Sequence, residues 1–241
     1  MFFAGFVDSV AGSGGVISLP AYMLTGLSPT AAFVCNKTSA CIGTSVSTIN
    51  FLRNGKLNVK VTLISAVAGI IGSNIAARIL LNMDPMFLQK MIVCVIPFIV
   101  LLIILKKDFG ESNEFDSIPA AKVWLVSVVF GFILGVYDGL IGPGTGTFAV
   151  MIFASVLKFD LKTASGNAKL LNFCTGAGSI IHYIVSGAVV WPIVICTALA
   201  DMAGNYLGSS LALKKGVSFI RTMMIIVALL LLAKLGYDAF F

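Results

Sequence analysis

Long apolar runs, broken by short polar or glycine-rich stretches, set the pattern of this chain. Crossing about 30 Å of hydrocarbon takes about 20 helical residues. Six runs read as spans of that kind, at roughly 30–52, 60–81, 87–105, 161–185, 189–213 and 217–240. Two further apolar stretches, 2–26 and 119–157, are interrupted by glycine clusters, making eight hydrophobic segments in total. The clusters are Gly12, Ser13, Gly14 and Gly15 in the first, and Gly142, Pro143, Gly144, Thr145 and Gly146 in the second. Each follows an aspartate, Asp8 or Asp138, by four residues. Glycine breaks helices through its backbone entropy and its bare peptide groups. Inside a membrane, broken backbone survives only where protein or a water-filled cavity satisfies it.

The only clearly hydrophilic linker, 106–118, divides the chain into halves at 1–105 and 119–241. The halves align as an internal repeat. Asp8 pairs with Asp138, Gly12 with Gly142 and Gly14 with Gly144. After one inserted residue, Asn36–Thr38 pairs with Asn167–Lys169; after a second, Ile49–Gly55 pairs with Ile181–Gly187, Gly72 with Gly204 and Phe87 with Phe219.

Charge placement bears on topology, because Lys and Arg mark cytoplasmic loops. If all eight segments cross, seven basic residues fall on each face and no bias results. If each glycine-broken stretch instead enters and returns on one side, one face carries Arg53, Lys56, Lys60, Lys106, Lys107, Lys122, Lys158, Lys162, Lys214, Lys215 and Arg221. The other face then carries only Arg78, Lys90 and Lys234, a split of eleven to three. Three full spans per half is an odd number, so the halves must have opposite orientations. The expected fold is an all-α polytopic membrane protein with two inverted-topology repeats. Each is a re-entrant half-helix hairpin followed by three transmembrane helices, and 106–118 is a cytoplasmic linker. Trp191 and Tyr237 read as interface anchors.

Composition agrees with a membrane solvent. The chain is 59% hydrophobic and 11% charged, against about 25% charged for a soluble domain. Its formal charge of +6 therefore reports loop topology and gives no reason to expect nucleic acid. The first 25 residues hold no Lys or Arg, so a signal peptide's basic n-region is missing there. Cys35, Cys41, Cys94, Cys174 and Cys196 lie in apolar runs without a CxxC pair. They read as buried hydrophobes, and neither a metal site nor a cofactor is expected.

The candidate chemistry sits at the breaks. A half-helix that starts within the membrane, at about 16–25 or 147–157, presents free N–H groups and a positive dipole end. Such an end binds anions without a charged side chain; the blander reading is that the glycines only permit tight helix packing. Lys37 and Lys169, each well inside a span, could face a substrate cavity or could snorkel to an interface. Asn36, Thr38 and Asn167 beside them supply the several donors an oxyanion accepts at once. Asp8 and Asp138 could relay protons, or could hold the broken loops by accepting backbone N–H bonds. His182, the only histidine, could titrate near neutral pH or be simply hydrogen-bonded. No nucleophile–base–acid set or Walker loop is present, so neither an enzyme nor ATP-driven transport is expected.

The run Gly5 through Gly15, with Pro20, Gly26–Pro29 and Asn36–Thr38, resembles the TauE/SafE sulfite exporter family, also called the toluene-sulfonate uptake permease family. Gly131 through Thr147, Gly166–Lys169 and Lys234–Asp238 carry the same resemblance, which spans essentially the whole chain. It implies a secondary transporter or facilitator of sulfite, sulfoacetate or another organosulfonate across the cytoplasmic membrane. The partners it implies are a small anionic substrate with a coupling proton or cation, the lipid bilayer and a possible second copy of the chain. The site would comprise Gly12, Ser13, Gly14, Gly15, Asn36, Lys37, Thr38, Gly142, Gly144, Thr145, Gly146, Asn167 and Lys169, rocked between two access states. A channel-like anion pore and a non-transporting membrane scaffold are the alternatives.

Overall fold

The computed structural model describes residues 1–84, 86–87 and 110–226, and all its regular structure there is helical. The expected spans at 87–105 and 217–240, with Lys90, Cys94, Lys106, Lys107, Lys234 and Tyr237, lie wholly or largely outside the described residues. In chain order the helices are α1 (Phe2–Ala11), α2 (Gly15–Met23), α3 (Pro29–Arg53) and α4 (Val59–Leu81). A 3₁₀ turn at Phe115–Ser117 precedes α5 (Ala120–Leu140), α6 (Thr145–Ser155), α7 (Leu161–Val185), α8 (Trp191–Lys215) and α9 (Val217–Ile226).

Local chemistry starts the long helices. Ser28 and Asn58 cap α3 and α4, accepting from Ala31 N and Val61 N at 3.3 and 3.2 Å. Asp160 caps α7, accepting from Lys162 N and Thr163 N at 3.0 and 3.2 Å. These bonds satisfy donors that a helix N-terminus leaves free. Among the described residues, only α4 and α5 are both long and apolar enough to cross a membrane on composition alone. The equally long α3, α7 and α8 dilute their apolar residues with Ser, Thr, Asn and single charges, most of them buried.

Beside two apolar core clusters, the molecule buries many polar side chains and exposes broad apolar faces. Leu63, Val67, Ile71, Ile75 and Ile79 form one exposed stripe on α4, as Trp124, Leu125, Val129 and Phe132 do on α5. Lys37, Asn36, Asp138, Asn167, Lys169, Asp201 and Asn205 are buried. A water-soluble protein of this size rarely exposes so broad an apolar surface, which marks a membrane or partner contact.

α1 packs on α8, and α5 on α4, at close backbone approaches. A Cβ on Gly204 would collide with the Phe2 carbonyl, and one on Gly72 would stand 2.5 Å from the Phe132 carbonyl. Phe2 and Phe132 share the offset that relates Asp8 to Asp138, so each pair mirrors the other.

The α5–α6 hairpin begins and ends at the same end of the bundle. Phe115, just before it, stacks on Phe159, just after it, at 4.4 Å between centroids. Glu114 N donates to Lys158 O at 2.9 Å. Lys56, Lys60, Asp116 and Asp160 line one cleft at this end. Lys158 and Arg221 bond Glu114 and Glu111 there, at 3.1 and 3.0 Å. The Lys158 bond, helped by Ser112, holds the exposed Glu114 carboxyl below its usual range. Arg78 lies at the far end of α4, beside His182 near the end of α7.

Candidate functional site

The two glycine breaks meet. Gly12 closes α1 in the left-handed region at φ 76°, with its N–H on Asp8 O at 2.7 Å. Gly142 and Gly144 adopt φ 80° and 84° before α6. A Cβ on Gly146 would lie 2.6 Å from the Gly12 Cα, so the tips touch backbone to backbone. Thr147 ties them, donating to Ala11 O at 2.6 Å while its hydroxyl also bonds that of Ser13. Tyr137 braces the second tip through its hydroxyl on Pro143 O at 2.7 Å.

Beneath the tips lie two ion pairs that cross between the halves. Lys37 of the first half bonds Asp138 of the second. Lys169 of the second half bonds Asp8 of the first, at 2.8 Å to Oδ2 and also at its backbone oxygen. Each aspartate takes a hydroxyl from its own half, Asp138 from Thr175 at 2.8 Å and Asp8 from Thr44 at 3.4 Å. Asp8 also accepts from Gly14 N at 3.4 Å. Neither lysine snorkels: both are at least 90% buried.

A cavity of about 50 Å³ opens here. It is lined by tip glycines Gly12, Gly15, Gly142, Gly144 and Gly146, by Asp8 and Asp138, and by Asn36 and Lys37. Ala40, Cys41, Thr44, Asn172 and Gly176 complete it. The Asn36 and Asn172 side-chain oxygens are buried without a partner among the described residues. Rotating either amide by half a turn would present donors instead. The four paired charges sum to zero, and the amino ends of α2 and α6 at the tips add positive partial charge.

Several residues read from the sequence lie outside the cavity lining. Ser13 and Thr145 spend their hydroxyls inside the tips, Thr145 on Gly142 O at 2.7 Å. Thr38 donates back to Val34 O at 2.8 Å. Asn167 accepts from Asn58 N at 2.8 Å, at the loop between α3 and α4. Gly14 and Lys169 stand behind Asp8. His182 accepts from Arg78 Nε at 3.4 Å, remote from the tips.

Sequence reasoning passed over Thr44, Thr175 and Asn172. Their signal is helical spacing: Asn36, Ala40 and Thr44 on α3, and Lys169, Asn172 and Gly176 on α7, recur every three or four residues, one face of each helix.

The model of the family described as sulfite exporter TauE/SafE matches residues 1–235. A probable membrane transporter protein of Escherichia coli (strain K12), YfcA, is 33% identical, over 98% of this chain and 87% of its own length. Another, ORF9 of a Sinorhizobium species, is 30% identical over 98% of this chain and 90% of its own. A third, from Haemophilus influenzae, is 29% identical, again over 98% of this chain and 92% of its own. No solved structure matches.

Proposed function

Because the chain belongs to the sulfite exporter TauE/SafE family of membrane transporters, we propose that it carries a small sulfur-containing anion across the cytoplasmic membrane. The class is sulfite, sulfoacetate or another organosulfonate, moved as a secondary transporter or facilitator by alternating access. The observation that carries this reading is the pair of ion bridges exchanged between the halves, beneath two half-helix amino ends, around a buried cavity. An anion entering there meets positive helix ends and amide groups. It completes its site by replacing the Asp138 carboxylate on Lys37. The bridges hold the halves together, and their exchange frees one half to move against the other.

The multi-pass, inverted arrangement is part of the proposal. It is supported by the common end at which the α5–α6 hairpin starts and finishes, and by the basic residues gathered there.

In proteoliposomes, radiolabelled sulfite should enter with saturation and show counterflow against unlabelled sulfite or a sulfonate. Lys37→Gln with Lys169→Gln should slow both while the protein still inserts. Saturable counterflow at the wild-type rate in that double variant would remove the lysines from the mechanism; flux without saturation or counterflow would favour a pore.

A further inference from the structure

One buried carboxylate has no place in the paired network. Asp201, in the middle of α8, is 6% exposed, and no cation lies within ion-pair distance of it among the described residues. Its repeat equivalent is Gly69, so the second half carries a charge that the first lacks. An ionisable residue in such a place, within a membrane, marks an ion pathway or a proton relay.

The surroundings make room for this side chain. A Cβ on Gly43 of α3 would collide with its Oδ2, and one on Gly5 of α1 would lie 2.6 Å from its Oδ1. Glycine on both neighbouring helices gives the carboxylate a slot of its own. Asn205, one turn along α8 and fully buried, donates to Asp201 Oδ2 and to the Asp201 carbonyl, both at 3.1 Å. The other amide atom, Asn205 Oδ1, is buried with no partner.

Two further features flank the slot. On one side the charged groups facing Asp201 are Asp8 and Lys169, members of the ion pair beside the cavity, and the amino group of Met1. Asp8 and Lys169 pair with each other, which leaves Asp201 without an ion-pair partner of its own among the described residues. On the other side Tyr22 of α2 bonds Ser39 at 2.8 Å and Thr197 at 2.5 Å, and Thr197 sits one turn before Asp201. These hydroxyls form a buried polar cluster one turn from Asp201, in which Thr197 also donates back to Ile193 O and Val194 O at 2.7 and 3.1 Å.

We propose that Asp201 is the binding site of a coupling proton whose occupancy is linked to anion binding in the neighbouring cavity. This rests on the transport reading above. The proton moves from water to a carboxylate oxygen of Asp201 and leaves by the reverse step, with no other bond made. Protonation removes the unpaired negative charge beside Asp8 and Lys169, which favours an anion next door. By linkage the anion then favours the proton equally.

Two measurements test it. Infrared difference spectra of the reconstituted protein, taken across a pH titration, should show a protonated carboxyl band in the wild type that Asp201→Asn lacks. Identical spectra in the two proteins would overturn the proposal. In vesicles holding a pH-sensitive dye, an inward gradient of methanesulfonate should drive protons inward with the wild type. In Asp201→Asn the residual methanesulfonate flux should no longer respond to an imposed pH gradient. A flux that responds in the variant as in the wild type would also overturn it, as would a sodium gradient replacing the proton gradient. A titrating band in a wild type that moves no sulfur anion would leave the proton site standing and remove the substrate reading instead.

Discussion

Lys37→Met should destabilise the protein by about 3–5 kcal/mol, because it leaves Asp138 buried without its counter-charge. The carboxylate would keep only the Thr175 hydroxyl at 2.8 Å, and it lies in a region 3% exposed to solvent. Removing both partners is a different matter. Replacing a buried ion pair with neutral groups of similar volume is often neutral or stabilising, so Lys37→Met with Asp138→Leu should recover most of the loss. Unfolding in mixed detergent micelles reads both variants and their coupling. Flux should stay low in the double variant, which has regained stability without a cation for the anion to meet. That contrast separates the pair's part in holding the halves together from its part in transport.

Gly12→Ala should cost about 1–2 kcal/mol for a left-handed backbone at a non-glycine residue, with about 1–3 kcal/mol more for overpacking. The second contribution arises because the new methyl would stand 2.7 Å from the Gly146 Cα. Gly26 provides the control. It has φ 80° and open space around its would-be Cβ, so Gly26→Ala should show only the backbone cost. The difference between the two variants, in the same unfolding assay, isolates the contact between the tips. Equal losses would mean that the tips do not meet.

Much of this arrangement could be read from the residues. The glycine clusters, their spacing from Asp8 and Asp138, and the half-helices α2 and α6 follow from helix breaking and repetition. The pairing did not. Lys37 and Asp138 are 101 residues apart, Asp8 and Lys169 are 161 apart, and the repeat alignment invites each lysine to be matched with its own half. Only packing α1 against α8 and α5 against α4 brings each aspartate to the other half's lysine. The two carboxylates looked superfluous for an anion site when each was considered without its partner. Thr44 and Thr175 were hidden among many Ser and Thr residues of α3 and α7. Asp201 was invisible for the opposite reason: with Gly69 as its repeat equivalent, repetition gave it no emphasis.

The proposal that the tips enclose an anion site can be tested without vesicles. Equilibrium binding of radiolabelled sulfite to the purified protein should be saturable and displaced by unlabelled sulfonate. It should weaken by about tenfold or more in Lys37→Gln, since a charge-assisted hydrogen bond contributes about 1.5–3 kcal/mol. Binding that is absent from the wild type, or unchanged in Lys37→Gln, would contradict the assignment of this cavity to a sulfur anion.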